Sequence, residues 1–289
     1  MKIAIFGKRY LSGKQEEIST VFAALQQRPF ELLLDQSFCQ GLQEAGIPLP
    51  KGEIFTGDGF SADLVLSLGG DGSFLHTAEH IGNRGIPILG INLGRMGFLA
   101  DVRCRETDEV LSEILEGRYH IEERSLLHIS EGYHTGWPYA LNEIAVLKLD
   151  TSAMITIHAY VNGNYLNTYQ ADGLMVATPT GSTGYSLSVG GPIVDPQAAN
   201  FVITPVAPHS LNIRPLVISD NAEIKLIVES RNRHFLVSLD GRSEEKNTGE
   251  EIILRKAPFT TRIIKRNHHL FFDTLRKKLL WGADPRTPV

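Results

Sequence analysis

The stretch Leu64–His80, LVLSLGGDGSFLHTAEH, decides the fold. An apolar run of strand character ends in Gly69-Gly70. An acid follows at Asp71, then Gly72, and from Ser73 the residues read as a helix. A strand that turns on glycines into a helix is the unit of a parallel α/β sheet, and such a turn lets backbone amides approach a ligand. The helix N-terminus favours an anion at the same place. Asp71 is awkward there, because a carboxylate repels phosphate. Two chemical roles account for it: accepting a proton from a hydroxyl that attacks phosphorus, or helping to place a magnesium ion between phosphates. Capping of the helix by Asp71 or Ser73 accounts for the segment about equally well.

Upstream, KIAIFG reads as a buried strand and QEEISTVFAALQQR as a helix with Ile18, Val21, Phe22 and Leu25 on one side. FELLLDQSFCQGLQEAG reads as a strand running into a helix. Downstream, GIPILGIN is a further strand, and ETDEVLSEILEGRY is an amphipathic helix presenting Val110, Leu111, Ile114 and Leu115. Strands alternating with helices imply βαβ units. Past Tyr119 the pattern changes to β-branched, period-two runs punctuated by Gly, Pro, Asn or Asp, which implies an antiparallel β domain. LFFDTLRKKLLWG near the end returns to helical periodicity. The expected architecture is a Rossmann-like α/β domain over 1–118, a β-rich domain over 119–266, and a helical segment over 267–289 that packs back on the first domain.

The 289 residues are 42% apolar and 21% charged, which excludes a disordered chain. No apolar window reaches the roughly 18 residues of a spanning helix, so no membrane partner is expected. A net charge of −5 argues against broad nucleic-acid binding. It leaves room for a small phosphorylated ligand held by backbone amides. Cys39 and Cys104 stand far apart, without a His cluster, so neither a disulfide scaffold nor a zinc site is expected, and a reducing cytoplasm is the expected location.

Two familiar phosphate motifs fail. GKRYLSGK, Gly7 to Lys14, has one residue too many for a Walker A loop, and Gln15 stands where Ser or Thr binds magnesium. No G-x-G-x-x-G follows a strand. A different stretch is more informative: Thr178–Pro192 contains three Thr, three Ser, four Gly and no charged side chain. Its hydroxyls and amides suit neutral hydrogen bonds to phosphate, sugar or base edges, and Tyr185 offers a stacking face. A plain inter-strand loop is the competing reading on composition alone. Asn142-Glu143 by itself reads as solvated surface at a strand start, and His209 and Arg214 as parts of a proline-bound structural loop.

Taken together, these segments resemble the NAD kinase family. GGDGS at Gly69–Ser73 is similar to its first motif, with Ser73 where Thr is usual. Asn142-Glu143 is similar to its second. DGLMVATPTGSTGYSLSVGGP, Asp172 to Pro192, is similar to its third, with Gly184 where Ala is usual. PVAPHSLNIRPLV and LRKKLLWGADPR also fit. The glycine-acid loop alone is shared with phosphofructokinases and diacylglycerol-type lipid kinases. The third motif is the more specific.

The resemblance implies transfer of the ATP terminal phosphoryl group to the 2′-hydroxyl of the adenosine ribose of NAD, giving NADP, in a cleft between two domains. It implies magnesium or another divalent ion, and a homo-oligomer (dimer or tetramer). By position it makes Asp71 the proton acceptor. Gly69, Gly70, Gly72 and Ser73 become the phosphate loop. Asp71, Gly72, His76, Asn142, Glu143, Asp172, Thr183, Gly184, Tyr185, Ser186, Leu187, Ser188 and Ala207 become the NAD contacts. His76 stands where Arg is common, Gln170 where many bacterial members carry a basic residue near the nicotinamide end, and Arg242 where Gln is frequent. A kinase of a sugar phosphate or lipid hydroxyl, and a dinucleotide sensor without turnover, are the competing functions.

Overall fold

The computed structural model describes residues 1–8, 13–94, 97–131, 133, 136–149, 153–267 and 270–282. Part of the segment read against the Walker motif, and the closing residues of LRKKLLWGADPR, lie outside them. The chain divides into two compact units, Met1–Glu123 with Arg262–Val289, and Arg124–Thr261.

The first unit is built on β1 (Lys2–Gly7), β2 (Glu31–Asp35), β3 (Glu53–Phe55), β4 (Leu64–Gly69), β5 (Ile88–Asn92) and β6 (Val102–Arg103). They run parallel in the order β6-β5-β4-β1-β2-β3. The helices are α1 (Gln15–Gln26), α2 (Gln36–Glu44), α3 (Asp71–Ile81) and α4 (Thr107–Leu115). Residues Ile3 to Phe6 and Leu64 to Leu68 are buried without alternation, the mark of parallel strands covered on both faces. Ile18, Val21, Phe22 and Leu25 of α1 and Val110, Leu111 and Ile114 of α4 pack into this core. Leu115 does not: it is the last residue of α4 and is exposed. Asp35 accepts the Phe38 N–H at 2.9 Å and so starts α2 directly from β2. Helix α3 begins at Asp71, two residues earlier than its periodicity suggests, and stops where Gly82 adopts a φ of +58°.

Among the described residues the second unit is β-rich, with a 3₁₀ turn and one short α-helix. Its strands are β7 (Tyr119–Glu131, entering from the first unit), β8 (Tyr139–Ala140), β9 (Glu143–Lys148), β10 (Ile155–Val161), β11 (Asn164–Ala171) and β12 (Gly173–Ala177). After α5 (Tyr185–Ser188) come β13 (Asn200–Val206), β14 (Leu216–Ser219), β15 (Ile224–Glu229), β16 (His234–Leu239), β17 (Arg242–Asn247) and β18 (Glu251–Arg266). One sheet runs β14-β13-β12-β9-β16-β17, and every neighbouring pair in it is antiparallel. The strands β11-β10-β15-β18 form a second antiparallel set. Alternate residues of both sets, such as Ile144, Val146, Phe235 and Val237 with Ile155, Ile157, Leu226 and Val228, share one core. Each such side chain contributes about 1.5–3 kcal/mol on burial.

The runs EIILRKA and TRIIK belong to one strand. Pro258 between them suggests a break, but its fixed φ is compatible with extended chain. The last residues of β18 belong to the first unit, where Ile263 pairs with Ile88. The terminal helix α6 (Phe271–Leu279) also lies in that unit. No helix among the described residues is long and apolar enough to cross a membrane.

Candidate active site

In the first unit the site forms at the carboxyl end of β4. Gly69 has a φ of +150°, and a Cβ there would stand 2.1 Å from Ser73 Oγ, so only glycine turns the strand this tightly into α3. Gly70 is the N-cap, and no side chain caps the helix. The capping role open to Asp71 and Ser73 is therefore not the one the structure uses. Ser73 is buried and its Oγ has no hydrogen-bond partner among the described residues.

Asp71 instead reaches the loop after β5. Its Oδ2 accepts the Phe98 N–H at 2.9 Å, and its Oδ1 accepts those of Leu99 and Ala100 at 3.0 Å each. A Cβ on Gly97 would lie 1.9 Å from Oδ1, so the loop closes on the carboxylate only with glycine there. Buried Asn92 braces the same loop: its Oδ1 accepts the Gly94 N–H at 2.6 Å and its Nδ2 donates to the Ala100 carbonyl at 3.2 Å. Lys278 of α6 holds its ammonium 3.6 Å from Asp71 Oδ2 and 4.3 Å from the Phe98 ring centroid. A carboxylate offers about four acceptor positions, so three amides leave one free. The Asp71 side chain is 29% exposed, so that position is open to a donor from outside. Lys8, just past β1, places its ammonium 3.6 Å from where a Gly72 Cβ would be. A carboxylate of fixed orientation thus lies on a glycine loop with a cation near each, an arrangement suited to a hydroxyl and a phosphate together. His76 sits one turn after Gly72 on the exposed side of α3, its ring 4.5 Å from that of His80.

In the second unit Asn142-Glu143 opens β9. The Leu141, Asn142 and Glu143 N–H groups donate to the Asp240 carboxylate at 2.7, 2.9 and 3.0 Å. Asp240 holds a φ of +49°, rare for a residue with a side chain. On the other side, Thr178 donates its N–H to the Asn142 carbonyl at 2.9 Å and its hydroxyl to the Leu141 carbonyl at 2.6 Å. Gly181 presses on the Asn142 carbonyl, where a Cβ would fall at 2.0 Å. Burial and the neighbouring Asp240 charge push the Glu143 carboxyl up to about 8, against the pull of the Tyr185 amide. Glu143 Oε2 has no hydrogen-bond partner among the described residues. At neutral pH Glu143 therefore carries a proton and can donate as well as accept.

The Thr178–Pro192 stretch is a folded turn and not an open polar loop. A 3₁₀ turn spans Thr180–Thr183 and α5 spans Tyr185–Ser188. Thr178, Ser182 and Ser186 are fully buried, and the first two fasten the turn internally. The Ser186 hydroxyl faces Thr204 at 3.5 Å, and Thr183 donates to the Thr180 carbonyl at 3.3 Å. Tyr185 and Ser188 are exposed, Leu187 is half-buried, and the Gly184 Cβ position is 3.2 Å from Glu143 Oε2. At the far end of β9 and β12, Lys148 pairs with Asp172 Oδ1 at 2.6 Å, and the Asp172 N–H donates to Val206 at 3.0 Å, beside exposed Ala207 with its φ of +44°.

The comparisons with known proteins agree on one family. The model described as the ATP-NAD kinase N-terminal domain matches residues 15–119, and that of the ATP-NAD kinase C-terminal domain matches 141–266. An NAD kinase of Bacteroides fragilis is 49% identical, with 99% of this chain and 100% of the relative covered. One from Porphyromonas gingivalis is 46% identical, with 99% of each covered. The chain belongs to the NAD kinase family. Yeast NADH kinase complexed with NADH shares the fold, with a TM-score of 0.86 at 24% identity over 100% of this chain and 90% of that one. An Archaeoglobus fulgidus NAD kinase in complex with ATP has a TM-score of 0.77 at 28% identity over 97% and 99%.

Within this family site, Arg242 and Gln170 are engaged with the backbone of their own unit. Arg242 donates to the Trp137 and Tyr139 carbonyls at 2.8 and 2.7 Å and stands over the Trp137 ring. Gln170 gives its carbonyl to the His209 N–H at 2.8 Å and lines a cavity of about 520 Å³ with Met154, Thr156, Glu229 and Arg231. Sequence reading missed Asp240, Lys8, Lys278 and Lys148. The Asp-Gly after β16 was a turn signal, but nothing local shows that an aspartate reaches a segment about 100 residues earlier.

Proposed function

We propose that the chain phosphorylates the 2′-hydroxyl of the adenosine ribose of NAD from ATP, with Asp71 as proton acceptor. The observation that carries this reading is the Asp71 carboxylate, fixed by three amides with one acceptor position free, on a glycine loop flanked by Lys8 and Lys278. Phosphoryl transfer passes through a loose transition state in which positioning and charge neutralisation matter most. The free position orients the ribose hydroxyl and takes its proton as the bond to phosphorus forms, while the α3 N-terminus and the lysines balance the phosphate charge.

Asn142 with Glu143, and Asp172 with Ala207, form two contact zones of the second unit. They lie at opposite ends of β9 and β12, six residues or roughly 20 Å apart on extended chain. That separation favours a ligand with two nucleoside ends over a sugar phosphate. Tyr185 and Ser188 offer the exposed ring and hydroxyl of the third motif, while Ser182 and Ser186 shape it from inside.

Among the described residues no three His, Cys, Asp or Glu gather into a metal cage. The residues fit a magnesium ion carried by the triphosphate, which needs few protein ligands, because the one open position of Asp71 is taken by the hydroxyl. When bound, the ion supplies neutralisation of the phosphate oxygens. The test is NADP formation from NAD, ATP and magnesium, run beside fructose 6-phosphate and diacylglycerol as acceptors. Turnover of either alternative without NADP formation overturns the reading, and so does NAD binding without any turnover.

A further inference from the structure

Beyond the glycine-acid loop, α3 carries two histidines that the chemistry above does not use as a pair. His76 and His80 lie on one face of the helix, as residues i and i+4 do, with their ring centroids 4.5 Å apart. His76 is exposed and the His80 side chain is 31% exposed. His80 is held from several sides. Its ring stacks on buried Phe6 at 5.5 Å between centroids, and Phe6 packs in turn on Phe55 and Phe60. Its Nδ1 lies 2.6 Å from Asp58 Oδ1. Arg84 fixes the Asp58 loop to the end of the helix. It donates to the Asp58 and Phe60 carbonyls at 2.6 and 2.9 Å, to the Ile81 carbonyl at 2.9 Å and to that of His80. Its guanidinium also covers the Phe60 ring at 4.1 Å.

A plain account covers part of this. A cation in the last turn of a helix suits the dipole, so a charged His80 clasped by Asp58 needs no ligand. That does not explain His76, because a charged His80 gains nothing from a second imidazole beside it. A metal ion explains both rings. An ionised carboxylate only accepts, so Asp58 fixes a proton on Nδ1 and leaves the Nε2 lone pair of a neutral ring for a metal. A carboxylate behind the ring in this way is the usual partner of a metal-binding histidine. Two histidines at i and i+4 on one helix face are also the pair that zinc-binding helices present. Imidazole nitrogen suits zinc, copper and nickel, whereas magnesium takes oxygen ligands.

We propose that His76 and His80 bind one divalent transition-metal ion through a ring nitrogen each, with Asp58 as the positioning residue for His80. Two protein nitrogens are fewer than a closed zinc centre has, so water completes the coordination. The site is separate from the magnesium ion of the triphosphate and does not depend on the kinase reading. Zinc chloride is titrated calorimetrically into the nucleotide-free full chain and into H76N, H80N, D58N and H158N. His158 contacts Thr168 and Glu229 in the second unit and controls for loss of a histidine elsewhere. The expected result is one saturable site that weakens by at least about tenfold in H76N, H80N and D58N. It holds in H158N and in excess magnesium. A spectroscopic arm reads the wild type without relying on variants: electron paramagnetic resonance of the protein with one equivalent of Cu²⁺ shows coupling to two imidazole nitrogens. Absence of a saturable zinc site in the wild type, undiminished binding in H76N or H80N, or a copper spectrum with fewer than two nitrogens overturns the proposal. Undiminished binding in D58N alone overturns the role given to Asp58.

Discussion

Asp71 and Asp240 use the same device in different units: each carboxylate gathers three backbone N–H groups of a loop distant in sequence. They differ in what is left over. The Asp71 side chain remains 29% exposed, with an acceptor position open and two lysines near its loop. The Asp240 carboxylate is enclosed, with Arg242 beside it, and its backbone holds a left-handed conformation. Amide-bound carboxylates are therefore not all equivalent. One is oriented so that it can meet a ligand, whereas the other orients the segment that meets the ligand. Burial raises Asp240 and the three amides oppose it, while burial and the Asp240 charge raise Glu143, whose Oε2 has no hydrogen-bond partner among the described residues.

The sharpest way to break the comparison is Asp71→Asn. The substitution keeps one acceptor oxygen for the loop and removes the proton acceptor. NADP formation is expected to fall about a thousandfold, within the usual range for general-base loss, with NAD affinity retained in equilibrium dialysis. Turnover at the wild-type rate would remove Asp71 from the chemistry. Gly97→Ala comes next. Its Cβ, 1.9 Å from Asp71 Oδ1, forces the loop off the carboxylate without touching the acid. A misplacement of about 1 Å costs roughly a hundredfold, so kcat falls by that order while the KM for NAD changes little.

Asp240→Ala tests the other carboxylate and acts on binding more than on turnover. It leaves three amides unpaired, each costing about 1–3 kcal/mol where water cannot replace the carboxylate. The melting temperature drops by several degrees, and the KM for NAD rises roughly tenfold while kcat stays within a few-fold. A kcat loss as large as that of Asp71→Asn, with KM unchanged, would erase the distinction between the two carboxylates.

Legibility in the sequence follows the same division. The parallel sheet was readable because β1 and β4 are continuous apolar runs, and the glycine-acid loop because Gly69 has to be glycine where it turns. Polar strands were not readable. RSEEKN and NYLNTYQA carry little apolar alternation and become β17 and β11 through pairing with β16 and β10. The hydroxyl-rich third motif was readable as special but not in detail. Its hydroxyls suit ligand contacts although composition alone favours a plain loop, and the structure buries Thr178, Ser182 and Ser186 within the turn. Asp240 was hidden because its partners, Leu141 to Glu143, are distant in the chain and bind through backbone atoms that no residue pattern marks.

The smallest expected effect sharpens the comparison through Glu143. Its folded-state value of about 8 lies above the ordinary 4.5, so the native protein keeps a proton that the unfolded chain releases. Stability therefore declines as pH rises from about 5 to about 8 and gains no further loss from this group above that. Glu143→Gln is neutral throughout and should flatten that part of the decline in urea midpoints measured at pH 5.5 and pH 8. Asp240→Asn removes one of the two causes of the raised value, the adjacent charge, while burial remains. Its pH dependence should be shallower than that of the wild type, and any further flattening on adding it to Glu143→Gln reports the raised Asp240 carboxyl itself. Equal slopes in all four proteins would mean that the Asp240 carboxylate organises the backbone of Leu141–Glu143 without acting on the Glu143 proton.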